Sequence, residues 1–181
     1  MIIIACLAVG LAMRLGTRTD LKSLESVRIS GEAWLIALLL FQAVAPALHV
    51  TGPTARLAYY LWLSTFPLMA AVAWTNRRFA GMSILGAGLA MNFLVIAVNG
   101  GMPVFVNAAA LVKAGAATAL IPQNDFVHVL ASTHTWMPWL ADVIPLPGPS
   151  WLRAVASPGD ILLFAGVMAF LGGSRNMRRS D

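Results

Sequence analysis

A polytopic bundle of transmembrane α-helices is the fold class that the sequence predicts, on three observations. Hydrophobic residues make up 59% of the chain and charged ones only 10%, with a mean hydropathy of +0.79, whereas a soluble domain carries about a quarter charged residues. The apolar residues arrive in long unbroken runs, not in the half-apolar stripes of a water-shielded core. Basic residues cluster in short turns between those runs. The expectation is an all-α protein of about five spans, one membrane domain over residues 1–181, with a long and partly helical outer segment at 102–158.

The first span is expected at residues 1–13, where no positive side chain precedes the apolar run and Arg14 follows it. A cleaved signal peptide has its positive charge in front, so a retained span fits better. The run is short for a hydrocarbon core of about 30 Å and must extend toward Gly16, with Arg14 snorkelling to the interface. Residues 14–32 mix Arg14, Arg18, Lys22 and Arg28 with Asp20, Glu25 and Glu32, which suits a polar loop with a short surface helix. A second span covers 34–50, kinked near its far end by Pro46, and the Gly and Pro of 51–54 make a turn.

A third span covers 57–75, with Tyr59, Tyr60 and Trp62 at one end and Trp74 at the other, as amphipathic rings favour the two headgroup levels. Asn76, Arg77 and Arg78 form the next turn, and the fourth span covers 79–98. In the outer segment, Asn107 is placed to cap a helix over 108–121 that Pro122 ends, and a weakly apolar piece runs from 126 to 136 until Pro138 interrupts it. The last span covers 159–172, lengthened if its helix starts near Ser157, and a basic tail follows. A hairpin of two further spans, over 108–121 and 126–144, would raise the count to seven without changing the parity.

Sidedness follows from the basic residues. Nine Lys and Arg fall on the side of the first loop, the Arg77–Arg78 turn and the tail, against Arg56, Lys113 and Arg153 on the other. Positive residues stay in the cytoplasm, so the C-terminus is expected inside and the N-terminus and outer segment outside. The net charge of +5 does not indicate nucleic acid, because the basic residues lack aromatic interleaving. The single Cys6 lies in an apolar run and supports neither a disulfide framework nor a thiolate metal site within one chain.

Helix association in lipid relies on close backbone approach and interhelical hydrogen bonds. Ala8, Ala12 and Gly16 recur every four residues, as do Ala165, Ala169 and Gly173, and each series draws a smooth stripe suited to a neighbouring helix, a partner subunit or a second copy. Gln42 and Asn92 fall near the middles of the second and fourth spans, where an unpaired amide costs several kcal/mol. A mutual amide bond is the plain explanation, and a polar lining for a ligand is the functional one.

The candidate chemistry lies in the outer half: His49, His128, His134, Asp142 and Asp160. His128 and His134 are six apart and would face different sides of a helix, and no metal-ligand spacing is present, so no metal or cofactor is predicted. Asp160 follows Ser157-Pro158-Gly159 at the start of the last span, where the helix dipole favours a carboxylate cap. Asp142 has apolar neighbours instead, so burial should raise its pKa unless Arg153 or a histidine pairs with it. Trp136, Trp139 and Trp151 are suited to anchoring in the headgroup layer, or to stacking on a ring ligand.

Taken together, Trp34-Leu35, Gln42, Asn92, the run Val98-Asn99-Gly100-Gly101-Met102-Pro103-Val104, His134, the run Leu140-Ala141-Asp142-Val143-Ile144-Pro145-Leu146-Pro147, and Ser157-Pro158-Gly159-Asp160 resemble a domain-of-unknown-function family of small bacterial polytopic membrane proteins. The likeness covers nearly the whole chain, though Met102 follows Gly101 directly where many members carry an extra residue. The resemblance implies a bacterial inner-membrane protein with no established activity. Its marked positions match Asn99, Gly100, Gly101, Met102, Pro103, Asp142, Pro145, Ser157, Gly159 and Asp160, which form either a ligand site or a structural knot. Two functions are expected to compete. One is a non-enzymatic component that binds a lipid, a small hydrophobic ligand or a partner subunit at its outer face. The other is a membrane enzyme with His128 or His134 as base and Asp142 or Asp160 orienting it, acting on a lipid-linked or periplasmic substrate.

Overall fold

A computed structural model describes residues 28–48, 50, 52–105, 126–146 and 154–173. Helix α1 (Glu32–Val44) begins after Gly31, whose φ of 79° is readily adopted only without a Cβ, and passes into a 3-10 turn at Ala45–Leu48. The tightening coincides with Pro46, which has no N–H to continue the ladder. Helix α2 (Pro53–Thr75) takes in part of the expected turn, because a proline at the first helical position loses nothing. At about 1.5 Å per residue its 23 residues are about 34 Å long. Helix α3 (Met82–Asn99) ends on Gly100 in the left-handed region, φ 73°, and the N–H groups of Gly100 and Gly101 both reach the Ile96 carbonyl. The last described helix, α4, is Pro158–Gly173.

Among the described residues, α2 and α3 are long and apolar enough to cross a membrane, whereas α1 with its 3-10 turn and α4 are shorter apolar helices. The count of five spans is not reached there, and the first expected span, the surface helix and the helix over 108–121 all lie outside the described residues.

The outer segment differs from the all-α expectation. Strand β1 (Met102–Val104) pairs in parallel with β2 (His128–Leu130), and β3 (Ile144–Leu146) pairs antiparallel with β4 (Ala154–Ala156). A parallel bridge between Val104 and Asp142 ties the two ladders together, with Asp142 N–H donating to the Pro103 carbonyl at 2.9 Å. Over 126–144 the only helical piece is the 3-10 turn Pro138–Leu140, so that half of the additional hairpin is excluded. Short apolar runs broken by proline suit strand and helix alike by periodicity, and Pro138 and Pro145 here favour strand and turn.

The helices pack in the order α1, α2, α3, α4, with α3 and α4 antiparallel. Glycine sets that last contact. A Cβ on Gly88 would lie 2.7 Å from the Gly159 carbonyl oxygen, and one on Gly166 would lie 2.8 Å from the Leu85 nitrogen. Of the expected small-residue stripe, Ala165 is exposed and Ala169 half-buried, whereas the buried face of α4 runs through Gly159, Leu163, Gly166 and Val167. The core gathers Trp62, Phe66, Met69, Leu89, Val95, Ile96, Met102 and Leu163.

Candidate functional site

The first turn of α4 meets α3 at Asn92, below the strands of the cap. Ser157 is the N-cap residue, and its Oγ accepts the Asp160 N–H at 3.0 Å. Asp160 answers in kind, its Oδ2 accepting the Ser157 N–H at 3.0 Å, a capping box in which each residue satisfies the other's orphan donor. Asn92 closes the ring from α3. Its Nδ2 donates to Asp160 Oδ1 at 3.0 Å, and its Oδ1 accepts the Ser157 hydroxyl at 3.0 Å. Gly159 makes the approach possible, since any Cβ there would overlap the Asn92 amide.

The expected bond between Gln42 and Asn92 is not formed. Gln42 Nε2 donates instead to Thr65 Oγ1 on α2, and Thr65 passes its own hydroxyl proton to the Trp62 carbonyl at 2.6 Å. Each amide found a nearer partner on an adjacent helix, which satisfies it as well as a mutual bond would.

Asp142 stands apart from this ring. It is 6% exposed, and its Oδ1 has no hydrogen-bond partner. Burial pushes its carboxyl up to about 8; the negative charge of Asp160 adds to the shift and His128 opposes it. Sequence reasoning anticipated the burial and its direction, and of the partners it left open, Arg153 or a histidine, His128 is present as an electrostatic neighbour. Arg153 lies outside the described residues, as do His49 and Trp151.

The remaining candidates separate. His134 is exposed on a turn, its N–H donating to Ser132 Oγ at 3.2 Å, so it does not join Asp142 and Asp160. His128 is half-buried on β2 opposite Met102. Asn99 uses its amide as a second peptide group: Nδ2 donates to the Trp136 carbonyl at 2.9 Å and Oδ1 accepts the Trp136 N–H at 2.9 Å, fastening the 132–137 turns to the end of α3. Gly101 lets the cap close, since a Cβ there would come 2.7 Å from Val129 Cγ1. Met102 and Pro103 are buried in β1, while Pro145 is exposed on β3. Held in this way, Trp136 is 70% exposed and Trp139 68% exposed.

One asparagine escaped the sequence analysis. Asn76, fully buried at the opposite end of the molecule, accepts the Ser30 N–H at 2.9 Å and donates to the Ser30 carbonyl at 2.9 Å, clamping the entry of α1 to the exit of α2. The Asn-Arg-Arg turn suggested only sidedness. A buried amide in a turn between apolar runs was the signal available.

Comparison with known proteins adds a family without a chemistry. The model of a family of unknown function, DUF5317, matches residues 26–172. An uncharacterized protein of Thermotoga maritima is similar, 34% identical over 96 residues that make up 52% of this chain and 52% of the relative. The chain thus matches about half the length of that curated relative. No solved structure matches.

Proposed function

The chain belongs to the DUF5317 family of unknown function, and on that premise we propose that it is a non-enzymatic component of the bacterial inner membrane. Its outer cap binds a lipid, a small hydrophobic ligand or a partner subunit. In this account five helices cross the bilayer, the first drawn from residues 1–16, with the cap outside and the C-terminus in the cytoplasm. The polarity of the molecule supports the membrane: Leu40, Leu61, Leu68, Leu94 and Phe164 lie exposed on helix flanks, while Thr65, Asn76, Asn92 and Ser157 are buried. Lipid accepts the first set, and the second must be satisfied internally.

One observation carries the non-enzymatic reading. Asp160, one of the groups that would perform chemistry, has both oxygens taken by Asn92 and Ser157, and His134 lies apart on an exposed turn, while Trp136 and Trp139 are presented to the surroundings. Exposed aromatic residues on a fixed support are suited to recognition. Purification of the full chain in mild detergent tests this, with a co-purifying lipid, a second protein or a homo-oligomer as the expected result. A strictly monomeric particle free of all three contradicts it.

The enzymatic reading keeps one observation, the electrostatic interaction of His128 with Asp142, whose Oδ1 has no hydrogen-bond partner. It requires the cap to uncover that carboxyl. An activity on a lipid-linked substrate that Asp142→Asn abolishes in a still-folded protein would favour it.

A further inference from the structure

At the Asn76 end, opposite the cap, an open groove of about 300 Å³ runs between α2 and α3. Its walls are Ala70 and Trp74 from α2, and Met82, Ser83, Gly86 and Ala87 from α3. Small residues make the floor. At Gly86 α3 comes close to α2, where a Cβ would sit 3.7 Å from the Ala73 Cβ. Trp74, 65% exposed, forms one lip.

Charge says what belongs there. Arg77 is stacked over the ring of Trp74, a wall residue of the groove, its Cζ 5.0 Å from the centroid, and Arg78, next in the chain, lies over Phe79. Residues 53–99 contain no acidic side chain at all, and neither arginine has a carboxylate partner among the described residues. An apolar trough whose lining includes Trp74 and Ser83 thus lies beside the Arg77–Arg78 turn, whose cations have no carboxylate partner among the described residues. We propose that this groove binds one anionic phospholipid of the inner leaflet, an acyl chain against Gly86 and Ala87 and the phosphate at Arg77 and Arg78. Basic sites between helices on the cytoplasmic side select anionic headgroups in this way. Arginine suits the task, because its fork matches phosphate while its plane stacks on the ring.

The site rests on the membrane reading above, and its test keeps the two apart. The full chain is reconstituted in nanodiscs containing brominated phosphatidylglycerol or brominated phosphatidylcholine, and quenching of tryptophan fluorescence is followed. Quenching by the anionic lipid at lower mole fraction is expected, by roughly fivefold for each arginine. That preference should vanish in R77Q/R78Q, and Trp74→Phe should remove the part of the quenching that differs between the two lipids. Equal quenching by both lipids, or a preference that survives R77Q/R78Q, overturns the site while leaving the membrane reading intact. Failure of the chain to enter nanodiscs overturns both.

Discussion

Asp142 keeps a proton that the unfolded chain gives up, and this has a sign. Below about pH 4 the carboxyl is neutral in both states and contributes no slope. Between its ordinary value near 3.8 and its folded value of about 8, only the folded protein binds the proton, so stability falls as pH rises, by up to about 1.4 kcal/mol per unit. Above about 8 the fall ceases. Asp142→Asn, the same shape without the charge, should flatten this dependence, and thermal unfolding in detergent between pH 5 and 9 should show the variant gaining on the parent as pH rises. Parallel curves would mean that the carboxyl is not held neutral. The ring beside it makes a second prediction. Ser157→Ala deprives the Asp160 N–H and the Asn92 oxygen of their partner, and should cost about 1 to 2 kcal/mol in the same assay. Asp142 and Asp160 were legible in the sequence, one from its apolar neighbours and the other from the Ser-Pro-Gly-Asp order. Of the asparagine clamps, Asn99 was marked only through the family resemblance and Asn76 not at all. Asn76 and Asn99 bind backbone groups 46 and 37 residues away, and a backbone partner leaves no mark in side-chain spacing.

Glycine spacing governs the helices. Gly88 faces Gly159, and Gly81 faces Gly166, seven residues further along each helix. Gly88→Ala would put its Cβ 2.7 Å from a carbonyl oxygen and 3.0 Å from the Leu163 nitrogen. Backbone cannot yield as a side chain does, so α3 and α4 must part, at a cost of about 1 to 3 kcal/mol. Gly172→Ala, near the far end of α4, meets nothing within 4 Å and should be neutral or stabilising by up to about 1 kcal/mol. Unfolding midpoints of the two variants compared with the parent test this, and equal effects would refute the close contact. The described helices were legible because apolar runs bounded by Gly, Pro and basic turns admit few other readings. The strands were not, since three apolar residues carry no period. The Ala165 stripe lies off the contact with α3 at Ala165 itself, because four-residue spacing marks a face of a helix without saying what covers it.

At the scale of the molecule, the cap is set into the bundle. Asn92 precedes the end of α3 by seven residues, about 10 Å along the axis, and it is there that α4 begins and the knot of Ser157 and Asp160 lies. Under the proposed membrane placement, non-helical backbone at that level is tolerated only when protein encloses it and its polar groups are paired. The bridge from Pro103 to Asp142 and the ladder from Val143 to Ala156 do that pairing. The exposed flanks of α2 and α3 complete the arrangement, apolar outward and amide inward. Trp136→Ala with Trp139→Ala should leave unfolding nearly unchanged, since both rings are mostly exposed, while reducing whatever lipid or subunit co-purifies. Retention of the full complement would remove the cap's aromatic edge from the binding face. The account as a whole depends on those flanks being solvated by acyl chains. Flotation of the full-length protein with its membranes after an alkaline carbonate wash measures this directly. The chain should rise with the bilayer and leave it only in detergent; release into the wash as a monodisperse, detergent-free protein would contradict the account.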